Sequence, residues 1–102
     1  MKPMEKLTKQ VILETLNRHA ERLHAFGATR IGLFGSFLDD QATDASDIDL
    51  LVSFDEPDFD SYMEAKFFLE DLFGRTVDLV IEENLKPALA DVKKAARYAE
   101  AV

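Results

Sequence analysis

The chain contains no cysteine and no long apolar run. Without cysteine, disulfide bonds and zinc sites built on thiolates are excluded, and the composition gives no sign of an oxidising compartment. The apolar runs fall far short of the ~18 residues that span a bilayer, and no apolar signal segment follows Met1–Lys6. We therefore expect a cytoplasmic protein that does not associate with membranes.

Basic residues are scarce relative to acidic ones. Twelve lysines and arginines stand against twenty aspartates and glutamates, which gives a formal net charge of −8. This surplus of negative charge opposes the counterion release that drives non-specific binding to DNA and RNA. We therefore expect no direct nucleic-acid partner.

The sequence also lacks repeats, low-complexity tracts and linkers. A chain of 102 residues can bury one hydrophobic core but has little room for a second module. We therefore expect residues 1–102 to form a single domain, and a macromolecular substrate would have to bind on its surface.

Hydrophobic periodicity predicts helices that alternate with strands, and hence a small α/β sheet covered by helices. The first helix has Thr8 as its predicted N-cap, and Gly27 and Gly74 are predicted to end the helices that precede them. The predicted elements are a helix over 8–26, a strand over 29–34, a helical turn over 36–41, a loop over 42–46, a strand over 48–54, a helix from Asp60 or Ser61 to Phe73, a strand over 76–81 and a helix from Pro87 to about Ala101.

Two groups of apolar residues are expected to contribute to the core. The strand over 48–54 is almost uninterrupted in its apolar character, which indicates a central strand with both faces buried. The expected inward positions of the last two helices are Met63, Phe67, Phe68, Leu69, Leu72, Leu89, Val92, Ala96 and Ala99.

Two aspartates introduce the central strand. Asp47 and Asp49 are one residue apart, so in a strand their side chains point to the same face, with Cα atoms roughly 6.6 Å apart. Magnesium prefers carboxylate oxygens, and a pair of such ions can stabilise both the attacking and the leaving oxygens of phosphoryl transfer. Ten residues upstream, the small side chains of Gly35 and Ser36 would let backbone N–H groups and a hydroxyl approach a phosphate.

A third aspartate, Asp78, interrupts an apolar strand between Val77 and Leu79. A buried carboxylate is costly without a partner, and a metal ion shared with Asp47 and Asp49 would supply one. Each motif alone has an ordinary explanation, because a D-x-D arises by chance and an aspartate at a strand end is usually a solvated cap. Together they predict that the three carboxylates converge at one end of the sheet, close enough to share metal ions.

Gly35-Ser36, ten residues, Asp47-x-Asp49 and then Asp78 within Gly-Arg-Thr-Val-Asp-Leu-Val form a pattern that resembles the minimal nucleotidyltransferases (MNT) of the DNA polymerase beta superfamily. The resemblance covers nearly the whole chain, and it implies a small polymerase-beta-like fold with a mixed sheet covered by helices. It also implies that Asp47 and Asp49 ligate two Mg²⁺ ions, that Asp78 ligates one and helps to activate the attacking hydroxyl, and that Gly35 and Ser36 hold the triphosphate.

Family members of this size are typically antitoxins that silence a HEPN toxin, a helical protein, by transferring AMP from ATP to a tyrosine. The resemblance therefore implies an Mg²⁺-dependent protein adenylyltransferase. Its expected substrates are ATP and a HEPN-family toxin, and it would work within a homo- or hetero-oligomer.

The chain departs from the family pattern directly after the Gly-Ser pair. Family members usually read Gly-Ser-Arg-x-Arg-Gly, whereas this chain reads Phe-Leu-Asp-Asp over 37–40. Nine acidic residues and no lysine or arginine lie between residues 39 and 60. Positive charge for the phosphates would then have to come from Arg30, Arg75 or a partner chain.

This departure leaves two alternatives to protein adenylylation. The first is a catalytically weak or inactive antitoxin that neutralises its partner by direct binding. The second is nucleotidyl transfer to a small molecule such as an aminoglycoside, although such enzymes usually carry an additional substrate-binding domain.

Overall fold

Four strands form one mixed sheet, in the order β3-β2-β1-β4. The computed structural model describes residues 7–43, 45–56, 58–84 and 90–102. The strands are β1 (Ala28–Phe34), β2 (Ile48–Phe54), β3 (Val77–Ile81) and β4 (Arg97–Tyr98). β1 runs antiparallel to both β2 and β4, and β2 runs parallel to β3.

Helices connect these strands, which confirms the predicted small α/β fold with a mixed sheet. The α-helices are α1 (Lys9–Arg18), α2 (Ala20–Ala25), α3 (Phe59–Phe73) and α4 (Ala90–Ala95), and short 3₁₀ helices cover Gly35–Phe37 and Glu82–Asn84. None of the helices in the described ranges is long and apolar enough to cross a membrane.

The first three helices cover one face of the sheet. Alternate side chains of β1, β2 and β3 enter the core on this face, as the two-residue period of a strand requires. In β2, which was predicted with these same bounds, Leu51 is buried on the opposite face, whereas Asp49 and Ser53 there are half-buried. The fully buried core residues with no exposed surface are Ile12, Leu16, Leu23, Ile31, Leu33, Ile48, Leu50, Ala65, Leu69 and Val77.

The single helix predicted over 8–26 is wrong in one respect, because it divides at His19 into α1 and α2. His19 has φ −107° and ψ 21°, outside the helical region. Its ring Nδ1 donates to the carbonyl of Thr15 over 2.9 Å, and that carbonyl also accepts the His19 backbone N–H over 3.2 Å. A side chain that competes for a helix carbonyl favours an interruption. Thr8 is confirmed as the N-cap, since its hydroxyl accepts the N–H of Val11.

The third helix begins two or three residues earlier than predicted. Asp58, rather than Asp60 or Ser61, is the N-cap, and its carboxylate accepts the Ser61 backbone N–H over 2.7 Å. The predicted inward position of Phe67 is wrong, because its side chain is 58% exposed. Phe67 lies two residues from each of the buried residues of α3, about 200° around the helix. Gly74 ends the helix in the left-handed conformation, as predicted.

The last predicted helix is too long. Pro87 and Leu89 lie outside the described residues, and α4 ends at Ala95, after which β4 pairs with β1. The Ala99 backbone N–H donates to the carbonyl of Ile31 over 2.9 Å, and Ala99 is buried. The backbone hydrogen bonds that β1 offers on its outer side therefore outweigh the helical preference of the alanines here.

A buried carboxylate fastens this C-terminal strand to the rest of the sheet. The Glu82 side chain is only 3% exposed, and its Oε1 accepts the hydroxyl of Tyr98 over 2.6 Å. The same oxygen lies 3.6 Å from Nζ of Lys93 and 3.9 Å from Nη2 of Arg30. The guanidinium of Arg30 also stacks on the Tyr98 ring at 4.2 Å. Burial and the negative charge of Glu82 raise the pKa of Tyr98 to about 12.

Replacing Tyr98 by phenylalanine should test this network. Tyr98→Phe keeps the ring but removes the hydrogen bond to a buried carboxylate, so we expect the free energy of unfolding at pH 7 to fall by about 1 to 2 kcal/mol. Urea unfolding followed by circular dichroism measures this change. An exposed neighbour provides the control, since Glu83→Gln should leave the unfolding midpoint nearly unchanged.

The stabilities of the parent protein and of Tyr98→Phe should also respond differently to high pH. The phenol has a pKa of about 10 in the unfolded chain and about 12 in the folded one. The folded state therefore keeps a proton that the unfolded state loses, and this part of the stability falls as the pH rises from 10 to 12. Tyr98→Phe lacks the group, so its stability deficit should narrow over that range. A constant deficit would contradict the raised pKa.

Candidate active site

The aspartates singled out from the sequence lie on the sheet face opposite the three covering helices. Asp49 in β2 and Asp78 in β3 are register partners across the parallel pair, and Asp47 directly precedes β2. Asp49 alternates with the buried Ile48 and Leu50, so its side chain leaves the core side of the sheet. The strand pairing thus brings carboxylates from two strands to one face.

Gly35 and Asp49 approach each other so closely that no residue with a side chain would fit at position 35. Gly35 follows the last residue of β1, Phe34, which is the register partner of Asp49. A Cβ built on Gly35 would overlap Oδ2 of Asp49 and would lie 2.9 Å from its Cγ, and φ at Gly35 is +76°. Glycine is therefore required twice, by the backbone conformation and by the carboxylate that occupies the space of a side chain.

Asp49 is held in an unfavourable electrostatic environment. Partial burial, together with the negative charges of Asp78 and Asp47, raises the pKa of the Asp49 carboxyl above its ordinary value. The backbone amide of Ser36 acts in the opposite direction and lowers that pKa. The amide of Ser36, which we expect to face a phosphate, thus acts on the carboxylate of Asp49, while the Ser36 hydroxyl remains a candidate phosphate ligand.

Asp78 is exposed, so the expectation that it is a buried carboxylate in need of a partner is wrong. Val77 and Leu79 point into the core, and the alternation of the strand turns Asp78 outward. Asp47 is exposed as well. Both carboxylates are accessible to solvent and to a substrate.

The donor set fits a hard divalent cation. Within 7–43, 45–56, 58–84 and 90–102, no three His, Cys, Asp or Glu side chains lie close enough to hold one ion as they stand. Asp49, Asp78 and Asp47 nevertheless present oxygen donors, and their mutual repulsion adds to the effect of burial in raising the Asp49 pKa. A cation would relieve that repulsion, and carboxylate oxygens are the ligands that Mg²⁺ prefers.

Arg75 contacts the two segments that flank the aspartate pair and the Gly-Ser pair. Its Nη1 donates to the carbonyl oxygens of Ser46, over 2.8 Å, and of Thr43, over 3.2 Å. Its guanidinium also lies over the ring of Phe37, 5.2 Å from the centroid. We expected Arg75 only as a source of positive charge for phosphates, and no spacing in the sequence indicated these contacts.

Contacts also explain the positions of Arg30 and Phe37, the two other residues that bear on phosphate binding. Arg30, the second arginine considered for the phosphates, lies beside Glu82 and Tyr98 on β4's side of the sheet. Phe37, at the position where the resemblance leads us to expect a basic residue, is 4% exposed and belongs to the hydrophobic core. Its replacement by a basic residue would bury a charge, so the departure is part of how this core packs.

A cavity of about 290 Å³ adjoins Gly35. Apolar side chains form most of its wall, and Asp39 and Asp91 contribute carboxylates. Its size and mixed lining suit part of a small organic ligand. Its lining residues are Phe34, Gly35, Leu38, Asp39, Asp91, Val92 and Ala95.

Known proteins resemble this chain in sequence. The sequence model of the family described as "Nucleotidyltransferase domain" matches residues 13–100. Protein adenylyltransferase MntA of Thermococcus cleftensis is 39% identical over 89 residues, which cover 85% of this chain and 90% of that protein.

Solved structures resemble it in fold. A protein assigned as a minimal nucleotidyltransferase is 38% identical, with a TM-score of 0.66, over 82% of this chain and 92% of that one. The complex of tri-AMPylated Shewanella oneidensis HEPN toxin with MNT antitoxin contains a chain with a TM-score of 0.60 and 20% identity, over 85% of this chain and 71% of that one. The second likeness shows the fold alone, and together they confirm the fold expected from the sequence.

A pair of glycine substitutions should separate backbone strain from the clash with Asp49. Gly35→Ala should lower the free energy of unfolding by about 3 kcal/mol, because it combines a positive φ with overlap of a fixed carboxylate. Gly74→Ala is the matched control: φ is +63° there, with nothing within 4 Å of the added Cβ, and its cost should be about 1 kcal/mol. Chemical denaturation measures both changes, and equal costs would contradict the proposed clash.

Replacing Asp49 by asparagine should stabilise the protein at neutral pH. The raised pKa means that the folded state binds the proton more tightly than the unfolded state, so ionised Asp49 destabilises the fold above that pKa. Asp49→Asn removes the charge, and we expect the melting temperature at pH 7 to rise by a few degrees. Below about pH 3.8 the carboxyl is protonated in both states, and the gain should disappear. A variant that melts below the parent at pH 7 would contradict this electrostatic account.

Proposed function

The chain belongs to the nucleotidyltransferase domain family, as its motifs indicated, and from this premise we propose that it is a protein adenylyltransferase that transfers AMP from ATP to a tyrosine of a HEPN toxin. In this role the protein is the antitoxin of the pair. The relative named protein adenylyltransferase MntA supports the reaction, and the fold shared with an MNT antitoxin seen in complex with an AMPylated HEPN toxin supports the partner.

The contact between Gly35 and Asp49 is the observation that carries the proposal. Phosphoryl transfer needs acidic groups that hold a cation directly beside the groups that bind the phosphates. Here the carboxylate of Asp49 fills the space next to Gly35, and the backbone amide of Ser36 lowers the pKa of that carboxyl. The arrangement supports Asp47, Asp49 and Asp78 as the catalytic residues and Gly35 and Ser36 as the nucleotide-binding ones.

Each of these residues has a separate role in the proposed reaction. The tyrosine oxygen forms a bond to the α-phosphorus of ATP, the bond from that phosphorus to the bridging oxygen breaks, and pyrophosphate leaves. Asp78, exposed beside Asp49, accepts the tyrosine proton. The Ser36 hydroxyl and the backbone around Gly35 orient the triphosphate.

Metal binding in this proposal falls to the three aspartates. Asp47, Asp49 and Asp78 would hold two Mg²⁺ ions, which supply charge neutralisation at the phosphates when they are bound. The cavity beside Gly35 offers a place for the nucleoside of ATP, since the ribose hydroxyls can donate to the carboxylates of Asp39 or Asp91.

We further propose that residues 1–102 are a single nucleotidyltransferase domain in the cytoplasm, which works in an oligomer either with its toxin or with further copies of itself. The net charge of −8 supports a partner with basic surface and disfavours direct binding of nucleic acid.

A second candidate is an antitoxin that neutralises by binding alone. The observation in its favour is Phe37, a buried core residue at a position where the family pattern has a basic group. Without that group, the site offers less positive charge to a triphosphate. The experiment below distinguishes the two functions.

The double variant Asp47→Ala with Asp49→Ala should abolish transfer without unfolding the chain. The parent protein, incubated with Mg²⁺-ATP and a co-purified HEPN toxin, should increase the intact mass of the toxin by one or more AMP units. The double variant should give no increase, because it lacks the groups proposed to hold the metal ions and align the α-phosphate. Circular dichroism should show a folded variant, since two repelling charges have been removed.

The matched control removes two acidic side chains from the other end of β2. Asp55→Ala with Glu56→Ala changes the net charge equally, at exposed positions, and should transfer AMP like the parent. No mass increase with the parent, alongside neutralisation of the toxin by the parent and by the Asp47/Asp49 variant, would contradict the catalytic proposal and support neutralisation by binding.

A further inference from the structure

We propose that Arg75 is a positioning residue of this active site, which fixes the loop leading into Asp47 and Asp49 against the turn that follows Ser36. The inference rests on the proposed function only where activity is the readout. Its structural part, that Arg75 orders the loop before Asp47, is tested on the protein by itself.

The first observation is a set of hydrogen bonds on the loop before Asp47. Ser46 and Thr43 already close a tight turn, because the Ser46 backbone N–H donates to the Thr43 carbonyl over 3.0 Å and the Thr43 N–H donates to Oγ of Ser46 over 2.8 Å. Nη1 of Arg75 donates further hydrogen bonds to the carbonyl oxygens of Thr43 and Ser46. The residue after Ser46 is Asp47, so this turn sets where the aspartate pair enters β2.

The second observation is the aromatic surface beneath the guanidinium. Phe37 follows Ser36 directly, and its ring is buried in the core while Arg75 stacks on it. The ring is therefore a rigid platform, and a stacked guanidinium keeps its donors in a fixed plane. One side chain thus contacts the residue after the Gly-Ser pair and the residue before the D-x-D pair.

The third observation concerns the anchorage of Arg75 itself. Its backbone N–H donates to the carbonyl of Glu70 at the end of α3 over 3.3 Å. Two residues later, the Val77 N–H donates to Oε2 of Glu70 over 3.0 Å, and the Thr76 carbonyl accepts the Ile48 N–H over 3.0 Å. Backbone bonds on both sides thus fix the segment that leads from Arg75 to β3 and Asp78. The guanidinium therefore connects all three segments that carry the proposed site residues.

These contacts favour a positioning role for Arg75 over direct binding of a phosphate. The two hydrogen bonds from Nη1 end on carbonyl oxygens of the protein, and the guanidinium plane lies on an aromatic ring. A phosphate-binding arginine would instead act on the affinity for ATP. Loss of a positioning residue should leave the KM for ATP nearly unchanged and lower kcat, because misplacement by about 1 Å costs up to about 100-fold in rate.

The test compares Arg75→Met, Arg75→Lys and a matched control. Arg22 is another arginine that stacks on aromatic rings, 5.1 Å from the Phe68 centroid and 5.8 Å from that of Phe26, but it lies on α2, whose residues form no part of the site. Arg22→Met therefore removes the same chemistry elsewhere. Methionine retains apolar contact with the ring in each case, and lysine retains the positive charge without the planar guanidinium.

Amide hydrogen exchange of the free protein is the first readout. Arg75→Met should accelerate exchange at Ser46 and its neighbours up to Asp49 by about tenfold, as expected for the loss of hydrogen bonds that hold a turn. Arg75→Lys should restore part of this protection, and Arg22→Met should leave these amides unchanged. Unchanged exchange in Arg75→Met would overturn the proposal, whether or not the parent transfers AMP.

Steady-state transfer of AMP to the toxin is the second readout. Arg75→Met should lower kcat by about 10- to 100-fold, with the KM for ATP within about threefold of the parent, and Arg75→Lys should recover part of the rate. A raised KM with unchanged kcat would overturn positioning in favour of direct phosphate binding. A parent without transfer activity would refute the proposed function, while the exchange measurement would still decide whether Arg75 orders the loop.

Discussion

The carboxylate of Asp49 occupies the space that a side chain at position 35 would need. The geometry of the site depends on this contact between Asp49 and Gly35. The antiparallel register of β1 and β2 places the two residues together, and the buried alternate residues of both strands fix that register. The hydrophobic core therefore holds a carboxylate in a position that its own electrostatics disfavour. Groups held against their electrostatic preference are characteristic of functional sites, where local stability is lower than elsewhere in the fold.

On the sheet face opposite the three covering helices, the carboxylates at the two ends have different environments. At one end, Glu82 is buried but has Tyr98, Lys93 and Arg30 as partners. At the other end, Asp49 faces two further aspartates, and a backbone N–H is the group that lowers its pKa. One negative end is thus neutralised by the protein, while the other retains a potential suited to a cation. Arg30, which lies beside Glu82, is also at the end of the sheet away from Asp49.

The sequence predicted those parts of the fold that depend on local patterns. The bounds of β2 followed from its apolar run, and Gly74 followed from the need for a left-handed residue at a helix end. The break at His19 and the strand β4 were missed, because each depends on a hydrogen bond that periodicity does not report. The apolar neighbours of Asp78 indicated burial, but they face inward and leave the carboxylate outside.

For the site, spacing identified the residue types but not their contacts. The motif gave Gly35, Ser36 and Asp49 as candidates, and the placement of the aspartates on two strands led us to expect the carboxylates together at one end of the sheet. That the Ser36 amide acts on the Asp49 carboxylate, or that Arg75 spans 32 positions to reach Thr43, follows from tertiary packing alone.

The position of β3 at the edge of the sheet that the described residues form has a further consequence for Asp78. Its charge interrupts a strand that is otherwise Val-x-Leu-Val-Ile, and charged residues on outer strands hinder pairing between separate molecules. An apolar substitution at this position would leave five consecutive apolar residues on an open strand, and so would convert a catalytic candidate into a site of aggregation.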